Sequence, residues 1–318
     1  IPVKPIDQFL ARWTARSARL LETTAPTRVA VVGGGAGGVE LLLAVQHHVA
    51  KLRRDAGRNV AQLEYHLFTD SREVLPTHNR TARRIFEQIL RERGIRVHVG
   101  SAVVEVSPSQ MRTADGESHQ IDEVLWTTQA AAAPWLAESG LAVDSAGFVR
   151  VSDTLRSTSH ADVFAAGDVA SVEQYPRPKS GVFAVRQGPP LARNLHRALL
   201  GQPLAGYRPQ RQFLSLISTG DEYAVASRGP FALEGAWLWR WKDWIDRRFM
   251  RRFSKLPEMA SAAPPDVPTG LADGEALAAV SAMAMRCGGC GAKVGASVLT
   301  RALDRLPAAD RGAVLIGL

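Results

Sequence analysis

Cysteine is scarce in this chain: there are two in 318 residues, Cys287 and Cys290, both near the end. That scarcity excludes a disulfide-stapled secreted scaffold and suits a reducing compartment, so a cytoplasmic protein is expected. No apolar run approaches the ~20 residues needed to span a bilayer, and no secretory leader opens the chain. Internal repeats are absent. The net charge of +8 comes mostly from arginine in local patches. No arginine-rich tract accompanies a nucleic-acid-binding motif, so nucleic acid is not an expected partner. What is present suits packed domains: 46% hydrophobic and 22% charged residues, in a length sufficient for two or three domains. The chain starts at Ile1 and ends in the apolar run "GAVLIGL", which leads us to expect a piece cut at both ends.

Periodicity organises the first half. Residues 1–24 read as an extended lead-in and an amphipathic helix with Leu10, Trp13, Leu20 and Leu21 on one face, and the small Ser17 between them. "TRVAVV", residues 27–32, is a buried strand, followed by a glycine loop and a helix from about Gly37 to Leu52. A strand at 63–69, a helix at 79–93 and the strand "IRVHVG" complete β-α-β-α-β, the pattern of a parallel sheet with helices on its faces. A small antiparallel meander is expected over 101–120, and a further buried strand at 123–128. Beyond residue 140 we expect a short strand at 162–168, a helix at 181–200, a hairpin over 213–229 turning at Gly220–Asp221, and a helix at 236–253. Residues 256–280, rich in Ala, Pro, Ser and Gly, read as a linker.

"VVGGGAGGVE" fits G-x-G-x-x-G at Gly33, Gly35 and Gly38, between a strand and a helix. In a dinucleotide site the first glycine makes the tight turn, the second lets a pyrophosphate approach, and the third lets helix and strand pack closely. The helix N-terminus then supplies free N–H groups to the phosphates. The plainer alternative is a packing turn. Asp70, at the end of the second strand, favours NAD by accepting from the adenosine ribose; Arg72 nearby would instead meet the 2′-phosphate of NADP. Asp70 is equally compatible with a solvated loop acid. In "VFAAGDVA", Gly167 and Asp168 stand at a predicted strand end, where a carboxylate accepts from polyol hydroxyls or simply caps a turn.

"GAWLWRWKDWIDRRFMRRF" holds four of the seven tryptophans. Trp237, Leu238, Trp241, Trp244, Ile245 and Phe249 are expected on one helical face, with Arg240, Asp243, Arg247 and Arg251 across from it. Such a helix either docks on its own domain or, with Trp and Arg together, lies on an anionic membrane surface through Trp237–Phe253.

"MRCGGCGAKVG" admits several readings. Structural zinc needs four ligands, and the last histidine is His196, so no metal site is expected. A redox dithiol normally opens a helix after a strand, whereas this pair follows a linker. A merely structural pair and a mobile nucleophile remain; a cation such as Lys293 beside a thiol raises its thiolate fraction.

The glycine loop, "VFAAGDVA" and "KSGVFAVRQGPPLARNLHRALLGQPLAGYRPQ" together resemble the two-dinucleotide-binding-domain flavoproteins, in particular the type II NADH dehydrogenases and their sulfide:quinone and ferredoxin-reductase-like relatives. The resemblance covers residues 1–255, and "IPVKPIDQFLARW" is similar to the segment entering their NAD domain. It implies an α/β fold in which a Rossmann-like NAD(P)-binding domain is inserted in a partial FAD-binding domain. Residues 1–26 would end the first FAD part, 27–122 form the NAD(P) domain, 123–235 the C-terminal FAD part and 236–255 the Trp/Arg helix. By resemblance, Gly33, Gly35, Gly37, Gly38 and Glu40 line the NAD(P) site. Gly167 and Asp168 bind the FAD ribityl–pyrophosphate, and the segment of Lys179, Gly181, Val182 and Gln187 runs under the isoalloxazine. NAD(P)H would pass a hydride to the flavin, and electrons would leave to a quinone or another small acceptor. Two departures stand out: the family's first G-x-G-x-x-G is absent, and Gln129 replaces a glycine of an A-T-G-like turn. No cysteine lies in this portion, which argues against the dithiol-bearing branch.

Residues 281–318 resemble the N-terminal segment of selenide, water dikinase (selenophosphate synthetase), with Cys290 and Lys293 at the catalytic tip and Cys287 an extra thiol. In that family an Asp-rich Mg-ATP site lies downstream. A flavoprotein joined to such an enzyme is a known bifunctional arrangement, so the chain is expected to be the middle of a fusion.

Overall fold

The computed structural model describes residue 3, residues 6–128 and residues 131–254. Helix α1 (Ile6–Glu22) docks through Phe9 and Leu20, and Trp13 stacks on Phe9. Leu10 is 57% exposed, a correction to the expected face. At about 100° per residue, Phe9 lies within about 40° of Trp13 and Leu20, and Leu10 does not. Strand β1 (Thr27–Val32), helix α2 (Ala36–Asp55), strand β2 (Leu63–Phe68), helix α3 (Arg80–Glu92) and strand β3 (Arg96–His98) follow in alternation. A three-stranded antiparallel meander, β4 (Val103–Val106), β5 (Gln110–Thr113) and β6 (Ser118–Gln120), leads to β7 (Glu123–Trp126). The main sheet is parallel, in the order β3-β2-β1-β7. Val29, Ala30, Val31 and Val32 are all buried, because both faces of a parallel strand are covered.

One buried charge fixes how α1 meets this sheet. Arg53, near the end of α2, is 1% exposed and donates to the carbonyls of Leu20 (2.8 Å) and Thr23 (3.1 Å) and to Gln62 Oε1 (2.6 Å). The last carbonyls of a helix have no internal partners; here Arg53 satisfies that of Leu20 and Arg58 that of Leu21 (2.7 Å).

The second half has its own small core of Leu136, Val149, Val151, Leu155 and Ala170. It comprises α4 (Trp135–Glu138), the parallel pair β8 (Val149–Val151) and β9 (Ala170–Val172), and α5 (Gly181–Leu199). The strand expected at 162–168 does not form: Phe164 makes a single bridge to Arg156, and Gly167–Val169 is one 3₁₀ turn. Gly167 adopts φ +74°, which ends the extended run. Asn194 on α5 is fully buried, bonding the carbonyls of Thr154 and Ala205 and the Ala205 N–H.

The expected hairpin gains a third strand: β10 (Ser215–Ser218), β11 (Ala224–Arg228) and β12 (Phe231–Gly235) form an antiparallel sheet. Its Ile217 and Val225 join the core of the parallel sheet. Asn79, which caps α3, donates to Ser227 Oγ, Gly229 O and Phe231 O, and Arg93 pairs with Asp221 at 2.7 Å. Helix α6 (Ala236–Ser254) follows. Leu238 is its buried contact and Ile245 and Phe249 are half-buried, while Trp237, Trp241 and Trp244 form a separate exposed stripe. The single apolar face expected from sequence is therefore two stripes, about 100° apart. Arg248 lies 5.5 Å from the Trp244 ring. No helix among the described residues is long and apolar enough to cross a membrane.

At the β3 edge of the main sheet, His66, His98, His119 and Phe68 pack as one aromatic cluster. His66 Nδ1 is 3.1 Å from His98 Nε2, and the Phe68 and His98 rings stack at 4.1 Å. Burial, then the charges of His98 and Arg96, push the His66 pKa down to about 4. Glu64 acts in the opposite direction, and burial also lowers His98. An unfolded imidazole takes its proton near pH ~6.5. The unfolded chain is thus protonated first, and the stability present above ~6.5 is lost as pH falls toward 4. We expect urea-unfolding midpoints to fall across that window, His66 contributing up to about 1.4 kcal/mol per pH unit, and the slope to flatten in His66→Phe. An equally steep profile in the variant would refute the assignment.

Candidate functional site

At the C-terminal end of β1 the backbone turns sharply and enters α2. Gly33 has φ +126°, and a Cβ there would meet Thr127 O and Oγ1 at 2.7 Å. A Cβ on Gly34 would meet Thr69 at 2.7 Å, and one on Gly38 would overlap the Gly33 carbonyl oxygen. By contrast, nothing lies within 4 Å of a Cβ on Gly35 or Gly37. Three glycines thus close the crossing, and two leave space beside the N-terminus of α2. That arrangement fits a pyrophosphate: open backbone, free first-turn N–H groups and the positive end of a 20-residue helix. Neighbouring elements lock the turn. Gly33 N–H donates to Phe68 O (2.8 Å), Leu75 N–H to Gly34 O (2.8 Å), and Thr127 Oγ1 to Val32 O (2.9 Å). Gly34 and Thr127 were not expected from sequence. The triple glycine hinted at the first; the second emerges only once β7 is known to lie beside β1.

The register Val32↔Phe68 makes β1 and β2 leave the sheet side by side, so the chain reaches Asp70 two residues beyond the pair. Asp70 is exposed and accepts from Ser71 Oγ at 3.3 Å; Arg72 is also exposed. Glu40, in α2, has its Oε1 accepting from Ser218 N–H (3.0 Å) and lying 3.5 Å from Lys242 Nζ. Burial pulls the Lys242 pKa down, but the Asp246 hydrogen bond and the Glu40 charge outweigh it and raise the value. The glycine-loop helix is thereby tied to β10 and α6.

The other expected residues form a second group. Gly167 N–H donates to Gln187 Oε1 at 2.5 Å, which joins the Gly167–Asp168 turn to α5. Gly181 opens that helix after Ser180, and Val182 is half-buried. Lys179 Nζ donates to Ala170 O at 2.5 Å and sits 4.0 Å from the Phe148 ring centre. Burial lowers its pKa, with Asp144 and Asp168 acting the other way. A glycine turn, a carboxylate and a helix N-terminus in one place fit the polyol and phosphate parts of a flavin dinucleotide. Gln129, Cys287, Cys290 and Lys293 lie outside the described residues.

A parallel sheet with a glycine-closed crossing, followed by a second turn-and-helix cradle, defines a Rossmann-type dinucleotide-binding fold. The chain belongs to the pyridine nucleotide-disulphide oxidoreductase family, whose model matches residues 4–188. An NADH dehydrogenase-like protein of Mycobacterium tuberculosis is 29% identical over 214 residues, covering 65% of this chain and 52% of that protein. The type II NADH:quinone oxidoreductase of Haemophilus influenzae is 25% identical, covering 65% and 49%. Among solved structures, the sulfide:quinone oxidoreductase of Aquifex aeolicus shares the fold with a TM-score of 0.60 at 16% identity, covering 75% of this chain and 60% of that one. The chain spans about half the length of the curated relatives it matches.

The two kinds of glycine predict opposite phenotypes. Gly38→Ala should cost at least about 3 kcal/mol in thermal unfolding, because the methyl group has nowhere to go. Gly35→Ala should unfold like the wild type yet raise the Kd for NADH tenfold or more, about 1.4 kcal/mol. Fluorescence titration with NADH, beside melting curves, checks both.

Proposed function

We propose that the protein is an NADH-dependent FAD oxidoreductase of the type II NADH dehydrogenase kind, passing electrons on to a quinone. The observation that carries this reading is the open–closed division of the glycine loop, which fits a dinucleotide pyrophosphate. The relatives, an NADH dehydrogenase-like protein and an NADH:quinone oxidoreductase by name, support it. Bound FAD would supply reversible hydride acceptance. In the net reaction NADH gives up a hydride, and the quinone takes that electron pair and two protons, one of them from solvent. The protein's part is placement. Gly33, Gly35, Gly37 and Gly38 hold the NADH pyrophosphate, and Asp70 accepts from the adenosine ribose hydroxyls. Gly167 and Asp168 hold the flavin side chain, with Lys179, Gly181, Val182 and Gln187 along its ring. Glu40 serves this site by fixing α2 against Ser218 and Lys242. The matched segment contains no cysteine, which favours direct transfer to the acceptor over a dithiol relay. The exposed tryptophan stripe of α6 beside arginines favours contact with an anionic membrane surface, where quinones dissolve.

A second reading concerns the "CGGCGAK" segment, which favours fusion to selenide, water dikinase, with Cys290 as nucleophile, Lys293 as its cationic partner and Mg-ATP bound further on. The flavoprotein part would then be an accessory module. Steady-state kinetics of the full-length, flavin-loaded protein decide between them. We expect NADH:quinone turnover, with Asp70→Ala raising KM for NADH about tenfold (1.4 kcal/mol) while KM for NADPH stays level or falls. Absent turnover, with selenophosphate synthesis that Cys290→Ser abolishes, would favour the accessory-module reading.

A further inference from the structure

Strand β3 lies at an edge of the parallel sheet, and His98 is its one residue that is not exposed. That ring anchors the strand. It stacks on Phe68 at 4.1 Å, lies 5.3 Å from the His66 ring and meets the His119 ring edge to face at 5.0 Å. The backbone beside it carries the loop that follows β2. His98 O accepts from Thr69 N–H at 2.9 Å, Gly100 N–H donates to Ser71 O at 2.9 Å, and Ser101 N–H donates to Thr69 O at 2.8 Å. Asp70 sits between these anchor points, and the Thr69 side chain fills the space that a Cβ on Gly34 would take. The stretch starting at His98 therefore sets where Asp70 stands relative to the glycine loop.

The stack suits neutral imidazoles. His66 Nδ1 and His98 Nε2 are 3.1 Å apart, a gap that holds one hydrogen. With both rings charged it must hold two, and the contact opens. His66 Nε2 and His119 Nε2 are buried without a hydrogen-bond partner, 3.8 Å from Glu64 and 3.6 Å from Glu117. Glu64 is already taken by Arg96 at 2.9 Å and Arg28 at 3.7 Å. Glu117 and Asp115 are exposed, where solvent and salt screen their charges. Burial is the first reason that both His66 and His98 titrate below the ordinary imidazole value. Among the described residues no three histidine, cysteine or carboxylate side chains could hold a metal ion, so the ligand that suits this cluster is a proton.

We propose that His66, His98 and His119 form a proton-sensitive positioning element for the nucleotide site: neutral, they hold Thr69–Ser71 against the glycine loop, and protonated, they release it. This rests on the reading of the glycine loop and Asp70 as a dinucleotide site. None of the three histidines touches the nucleotide; they act through the His98 carbonyl and the residues after it. Protons and nucleotide then compete, because each favours a different state of the same loop.

Isothermal titration of the full-length, flavin-loaded, oxidised protein with NAD+, which survives acid, tests this without turnover. The Kd should rise fivefold or more as the pH is lowered from about 7.5 to 4.5, with circular dichroism showing the protein folded throughout. In His98→Phe, which keeps a ring on Phe68 but carries no proton, the Kd should stay level across the same range. Titrations near pH ~5 in buffers of different ionisation enthalpy should show protons released as NAD+ binds the wild type, and none released in the variant. A fall in affinity that is equally steep in His98→Phe would belong to Asp70 or to the nucleotide itself and would overturn the proposal. Tight binding at neutral pH with a flat wild-type profile would also sink it, while leaving the dinucleotide reading intact. NAD+ that binds at no pH would remove both.

Discussion

Everything in the first half of this protein turns on how closely α2 can pass the end of β1. A single methyl group on Gly38 would overlap the Gly33 carbonyl, so the crossing exists only because two glycines face each other there. That closeness brings the N-terminus of a 20-residue helix to the edge of the sheet. The helix's free N–H groups and its positive end then point at one spot in space. The neighbouring strands enforce the same geometry from both sides, β2 through Phe68 O and Thr69, and β7 through Thr127.

The remaining elements hold that spot rigid and connect it to the rest of the chain. Gly220, at the tip of the β10–β11 hairpin, presses on Ala44 so closely that a Cβ would sit 2.7 Å from its Cα. Glu40 bonds the adjacent Ser218 N–H, and Arg93 and Asn79 fasten the same sheet to α3. The C-terminal sheet is therefore a clamp on the glycine-loop helix. Lys242 extends the clamp to α6, so the exposed tryptophan stripe and the glycine loop are separated by only a few bonded contacts.

Much of this was legible in the sequence, because the relevant signals are local. The alternation of apolar strands and amphipathic helices gave the parallel sheet, and the spacing of Gly33, Gly35 and Gly38 between strand and helix gave the crossing. What escaped depends on partners far along the chain. Thr127 matters only once β7 lies beside β1, Arg53 only once α1 presents its last carbonyls, and Asn194 only once two loops converge on α5. Glu40 adds contacts that no local signal announces: its Oε1 accepts from Ser218 N–H and lies 3.5 Å from Lys242 Nζ, both far along the chain. Two periodicity errors share one cause. At Leu10 and along the tryptophan helix, apolar residues outnumber the positions that can be buried, and hydrophobicity alone does not choose among them.

The glycine-loop geometry and the Gly167–Gln187 cradle have one purpose if they serve a single hydride transfer. Mixing NADH anaerobically with the full-length, flavin-loaded protein in a stopped-flow spectrometer measures that transfer directly. Rapid, stoichiometric bleaching of the flavin absorbance, slowed in the Gly35→Ala variant at subsaturating NADH, is the expected result. A flavin that binds yet keeps its oxidised spectrum under excess NADH and NADPH would contradict the assignment.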